Sequence, residues 1–122
     1  MAKSRLLPIP GDSPDRWEAQ LRKGALEMAA LACLWQGRLH GLEIIRFLEK
    51  HSQLVLAEGT IYPILSRFRK QDLVETTIEE SSEGPPRKYY RLTSHGRKAV
   101  AQMNESWDKI DQGVRALRRD EA

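Results

Sequence analysis

A chain of 122 residues, 40% hydrophobic and 30% charged, makes one well-solvated globular domain with an extension, and is too short for two independent cores. Twenty Lys and Arg against 17 Asp and Glu leave a formal charge of +3, which permits an anionic partner without demanding one. A single cysteine, Cys33, excludes an intrachain disulfide and a four-thiolate metal site, and no run of about 18 apolar residues is present to span a membrane.

Residues 1–13, "MAKSRLLPIPGDS", read as a loose arm without the sustained apolar region of a signal peptide, so a reducing cytoplasm is the expected location. Ser13 is placed to cap a helix with Pro14 at its first position and Asp15 and Glu18 in its first turn. Over residues 21–35 the apolar side chains, from Leu21 through Leu26, Met28, Leu31 and Leu34 to Trp35, cover most of the circumference. That pattern predicts a helix buried on more than one side. Cys33 lies in this run and reads as a buried, inert thiol. Gly37 suits a left-handed cap and Gly41 the next turn.

Residues 42–51 predict a second amphipathic helix, with Leu42, Ile45 and Leu48 on one stripe and Ile44 and Phe47 beside it. A third helix follows in "TIYPILSRFRKQ". Pro63 lacks an N–H and clashes with the carbonyl four residues back, so it fits best where the N–H groups are still unpaired. Thr60 is then the expected N-cap, with Pro63 in the first turn. Ile61, Leu65 and Phe68 face inward, while Thr60, Tyr62, Ser66, Arg67, Arg69 and Lys70 face outward or flank.

"LVETTIEE" alternates Val74, Thr76 and Ile78, a strand with one half-buried face. "SSEGPP" is the turn. "RKYYRL" alternates again, with Lys88, Tyr90 and Leu92 on one side and Arg87, Tyr89 and Arg91 on the other. Thr93 can cap a last helix running to about residue 119. Its apolar positions, Val100, Met103, Trp107, Ile110, Val114 and Leu117, follow a heptad seam, which predicts packing along a second helix in a homodimer. Trp107 has two readings: a ring filling the dimer core, or a platform on which a small aromatic effector stacks.

Three helices, a two-stranded hairpin and a long helix make the winged helix-turn-helix plan, in which the third helix reads DNA. The expected organisation is an arm over 1–13, a DNA-binding domain over 14–93 and a dimerisation helix over 94–122. The fold class is mainly α with a β-wing.

Catalysis has no visible foundation. His40, His51 and His95 lack ligand spacing and read as surface or capping residues, and no phosphate loop or nucleophile elbow is present. No cofactor and no metal are expected. On the third helix, by contrast, Thr60, Ser66, Tyr62 and the helix N-terminus offer donors to phosphate, and Arg67 offers a fork for a guanine edge. In "GPPRKYYRL", Gly84, Pro85 and Pro86 stiffen the tip, and Arg87 and Lys88 are placed to meet a phosphate backbone or enter a minor groove. Tyr90 and Leu92 fit the core; Tyr89 fits either a DNA face or a cover for a neighbouring side chain. A rival reading is a winged-helix protein–protein module whose basic patch meets an acidic partner.

Three segments, "HGLEIIRFLEK", "EGTIYPILSRFRKQDLVE" and "GPPRKYYRLTSHGRK", closely resemble the signature segments of the PadR family of transcriptional regulators, over residues 23–98. The short length and single C-terminal helix resemble the family's smaller subclass. The resemblance implies a cytoplasmic homodimeric repressor of double-stranded operator DNA, with Thr60, Tyr62, Pro63 and Arg67 on the operator-contacting helix and Pro86, Arg87 and Lys88 in the wing. It also implies release by phenolic or other aromatic effectors. "NESWDKID" is similar to the C-terminal helix of members that hold flat aromatic ligands against a tryptophan, at the position of Trp107. Two residues depart from the pattern. Leu42 replaces a tyrosine, and Asp72 replaces the glycine before the first strand, a turn that aspartate tolerates better than most residues.

Overall fold

The computed structural model describes residues 14–52 and 54–119. The expectations for the arm, the Ser13 cap and residues 120–122 fall outside the described residues. Helix α1 spans Pro14–Ala32, strand β1 Leu39–His40, α2 Gly41–Ser52, α3 Glu58–Lys70, β2 Val74–Ser81, β3 Gly84–Leu92 and α4 Ser94–Arg119. The strands form one antiparallel sheet in the order β1-β3-β2. This is a winged helix-turn-helix, mainly helical, with the hairpin of β2 and β3 as its wing. Among the described residues no helix is long and apolar enough to cross a membrane.

Alanine, leucine and charged residues of high helix propensity favour α1, and Glu18 pairs with Arg22 one turn on, at 3.0 Å. The helix stops at Ala32, earlier than its apolar run predicts. Cys33 and Leu34 are buried in the turn that follows, while Leu21 and Trp35 are exposed. Trp35 is covered from one side by the Arg97 guanidinium, 4.8 Å from the ring centre, and its carbonyl accepts from Arg97 at 3.3 Å. Gly37 adopts a φ of +157°, far from the roughly +57° of a left-handed cap, so the expected cap geometry is not the one used. Burial pushes the Cys33 thiol up to about 12, and its Sγ donates to the Ala30 carbonyl; it stays protonated and inert at neutral pH.

His40 ends β1 and caps α2. Its Nδ1 accepts from the Glu43 N–H (3.3 Å), and Glu43 Oε1 accepts from the His40 N–H (3.0 Å). This is a reciprocal capping box with histidine where Ser or Thr is usual. The two-residue β1 was not expected, because two residues cannot display an alternation.

Helix α3 ends in a Schellman turn. The Leu73 N–H bonds the Phe68 carbonyl (2.9 Å), the Asp72 N–H bonds that of Arg69 (3.0 Å), and Phe68 and Leu73 are both buried. Asp72, which stands where the resembled pattern has glycine, takes the left-handed position at φ 60°. Its carbonyl accepts from Thr93 Oγ1 (2.6 Å), and Thr93 Oγ1 in turn accepts the Gly96 N–H (2.9 Å), capping α4 as expected. Gly96 lies so close to Leu73 that an added Cβ would stand 2.0 Å from the Leu73 carbonyl oxygen.

The core gathers Leu26, Leu31 and Leu34 around α1, Ile44 and Leu48 of α2, Ile61, Leu65 and Phe68 of α3, then Val74, Tyr90, Leu92 and Val100. The change of element at residues 93 and 94 is thus not a gap in packing. Val100, expected in the dimer seam, is only 3% exposed and belongs to the core of the domain; Met103 packs half-buried against it.

Candidate nucleic-acid interface

Helix α3 presents a defined outward row. At about 100° per residue, Gly59, Pro63, Ser66 and Lys70 line up opposite the buried Ile61, Ile64, Leu65 and Phe68. Thr60 and Arg67 flank the row on one side; Tyr62 and Arg69 flank it on the other. All of these are exposed. The helix begins earlier than expected: Ala57, not Thr60, is the N-cap, and both the Thr60 and Ile61 N–H groups bond the Ala57 carbonyl. Pro63 therefore stands in the second turn and denies a partner to the Gly59 carbonyl. The position is tolerated because Gly59 and Pro63 share the solvent face, where water can satisfy that oxygen.

Arg67 does not point along the row. It forms a solvent-exposed ion pair with Glu27 of α1, so the guanidinium expected at a guanine edge has an intramolecular partner at the surface. Sequence reasoning also missed Gly59, whose lack of a side chain gave no signal. Its place on the row emerges only once the helix start is known.

Tyr62 lies across the start of α2, its hydroxyl 2.4 Å from where a Cβ on Gly41 would be, so only glycine admits the ring there. Tyr62, Gly41 and Leu42 form one wall of a cleft of about 500 Å³; Pro85, Pro86, Arg87 and Lys88 form the other, with Glu83 at the hairpin turn. Reading helix and wing thus share one concavity, to which the N-terminal end of α2 contributes.

The outer face of the sheet is knit by charge. Arg38 reaches over the Tyr89 ring, 4.3 Å from its centre, to grip Glu79 in a fork of 2.6 and 3.0 Å. That hydrogen bond holds the Glu79 carboxyl below its ordinary range and raises Arg38. Arg91 bonds Glu75 at 2.5 Å. Tyr89, left with two fates by the sequence, is a cover: it lies beneath Arg38 and edge-on to His40. Burial raises the Tyr90 hydroxyl's pKa, with a further push from Tyr62.

Arg87 Nη1 lies 3.3 Å from His40 Nε2. A neutral imidazole has one acceptor nitrogen, so the Arg87 contact and the Glu43 cap compete for it. Pro86 and Lys88 are exposed beside Arg87.

Along α4 the seam changes character. Val100 is buried, but Trp107, Ile110, Val114 and Leu117 are 48%, 59%, 50% and 75% exposed. An apolar groove of about 340 Å³ runs between α1 and α4, lined by Gly24, Met28, Met103, Trp107 and Ile110 among others. Among the described residues no group of His, Cys, Asp and Glu is arranged to hold a metal ion.

The model of the "Transcriptional regulator PadR-like family" matches residues 30–102. A PadR-like transcriptional regulator from Bacillus cereus has a similar solved structure at 38% identity and a TM-score of 0.71, covering 80% of this chain and 95% of its own. A PadR family regulator from Eggerthella lenta is similar at 27% identity and a TM-score of 0.77, over 84% of this chain and 89% of its own. An uncharacterised protein of Lysinibacillus sphaericus is 26% identical over 90 residues, 72% of this chain and 83% of its own.

Proposed function

The chain belongs to the PadR-like family of transcriptional regulators and is a DNA-binding regulator; from that premise we propose that it represses transcription as a homodimer on an inverted-repeat operator. Two α3 helices enter successive major grooves about 34 Å apart, which sets half-sites about 10 bp apart, centre to centre. The row of Gly59, Pro63, Ser66 and Lys70 lies toward the bases, Tyr62 and Thr60 flank it, and Arg87 and Lys88 of the wing hold the phosphate backbone. The single observation that carries this reading is the cleft in which Tyr62 of the reading helix faces the proline-stiffened, basic wing.

The exposed seam from Trp107 to Leu117 supports the homodimer. Four large apolar side chains at heptad spacing are left without cover along one helix, the arrangement of half a coiled coil.

The experiment is a gel shift with duplexes selected from random DNA by the wild-type protein. Replacing Arg87 and Lys88 together by alanine is expected to weaken binding to all sequences and to flatten the salt slope by up to about 2 units. Unchanged affinity and slope would overturn the wing assignment. No shifted band with any duplex would favour the protein–protein module instead.

A second reading concerns an effector. The groove between α1 and α4 has Trp107 and Ile110 on one wall and Met28 on the other, an apolar and polarisable lining suited to a flat aromatic molecule. Titration with a planar phenolic compound is expected to quench tryptophan fluorescence and to release the operator. Retention of both effects in Trp107→Leu would sink it.

A further inference from the structure

The two faces of the β2–β3 ribbon are unlike. On the outer face charges pair, Arg38 with Glu79 and Arg91 with Glu75, and Arg87 lies 3.3 Å from His40 Nε2. On the inner face the pairs Val74↔Leu92 and Thr76↔Tyr90 close onto the core, and β2 packs against α3. The next pair outward on that same face is Ile78↔Lys88. Ile78 is 69% exposed, where the alternation of β2 predicts a half-buried residue, because the ribbon has run past the end of the core. Among the described residues nothing pairs with Lys88.

A lone exposed isoleucine is ordinary on a protein surface. The position of this one is not. It stands between the polar Thr77 and Glu79, opposite an unpaired cation that lines the cleft shared with Tyr62, on the face continuous with the reading helix. Glu80 follows at the β-bulge and Glu83 lies at the hairpin turn, so on this face of the ribbon Lys88 is the cation available to an anion.

We propose that Ile78 and Lys88 together form the wing's inner contact on DNA, with Ile78 against the deoxyribose wall of the minor groove and Lys88 on the adjoining phosphate. The inference rests on the DNA-binding reading above. Sugar edges are the apolar part of a DNA groove, and an aliphatic side chain covers them without reading sequence, while the cation fixes depth. Ile78 therefore adds affinity that salt does not screen, in contrast to Lys88 and Arg87.

The test compares Ile78→Thr with Ile78→Val, side chains of nearly equal shape that differ in one hydroxyl. Both keep the β-branch, and the site is exposed, so both are expected to melt within a few degrees of the wild type. On a duplex selected by the wild-type protein, I78T is expected to bind about three- to tenfold more weakly than I78V, the scale of covering part of one aliphatic side chain. The salt slopes of the two should agree. Lys88→Ala is expected to reduce the slope by about 1. Equal binding by I78T and I78V would overturn the proposal, as would an apolarity effect seen instead on sedimentation, which would assign this face to a second copy of the chain. A wild-type protein that shifts no duplex would defeat the DNA-binding reading itself, a distinct result.

Discussion

The two ends of α4 carry the same apolar periodicity and meet opposite fates. At its start the helix is locked to the domain: Thr93 caps it, Gly96 presses on the Leu73 carbonyl, and Val100 is buried. From Trp107 onward the same stripe faces solvent, although the helix runs on to Arg119. At 26 residues and about 1.5 Å of rise each it is roughly 39 Å long, more than a small three-helix domain can cover. Periodicity therefore reports that a face wants a partner, and helix length against domain size decides whether that partner lies within the chain.

The largest expected effect lies at the locked end. Gly96→Ala places a methyl on backbone that cannot yield, and is expected to cost about 3 kcal/mol or more in urea unfolding. An unchanged midpoint would show that α4 is not fixed to the Leu73 turn. Val100→Ala, beside it, is expected to cost about 2 kcal/mol through the cavity left in the core.

Ile110→Glu probes the free end. Its effect on the unfolding of the dilute monomer is expected to stay within about 0.5 kcal/mol, since the side chain is exposed. Its effect on assembly is expected to be complete, leaving monomers in sedimentation that bind a palindrome poorly. Intact dimers would place the partner of the seam elsewhere and erase the contrast between the two ends.

A modest gain in stability is expected at the turn on which the locked end rests. Asp72 holds a left-handed conformation that glycine adopts without a Cβ clash, and its bond to Thr93 uses the backbone carbonyl, which glycine keeps. Asp72→Gly is expected to raise stability by up to about 1 kcal/mol, offset in part by the greater freedom of glycine when unfolded. A loss of stability would mean that the Asp72 side chain contributes something beyond its backbone.

The wing and the reading helix were legible to different degrees. Pro85 and Pro86 after a polar run, followed by alternation, located the hairpin and correctly assigned Tyr90 and Leu92 to the core. Alternation along β2 also implied a half-buried Ile78, and there it overreached, because a period of two describes the faces of a strand and not how far the core extends beneath it. On α3, proline chemistry placed the N-cap three residues late, at Thr60 rather than Ala57. Proline's missing donor and its clash with the carbonyl four residues back favour the first turn, but a later position is tolerated here because Gly59 and Pro63 lie on the exposed face of the helix. Arg67 was assigned by residue type to the bases, but its pairing with Glu27 depends on α1 passing alongside, which no local pattern encodes.

By itself the sequence determined the order of the larger elements, the inward Ile61, Leu65 and Phe68 of α3 and the Thr93 cap, while on α2 it put Leu42 and Ile45 on the inward stripe where Ile44 is the buried residue. What it determined rests on interactions between residues near in the chain, where periodicity, capping and backbone sterics act. Tertiary structure alone decided the third strand at Leu39 and His40, the cover of Arg38 over Tyr89, the seat of Tyr62 against Gly41, and which part of the α4 seam is left uncovered. Each depends on the approach of segments distant in the chain, and that approach is set by how the whole core packs.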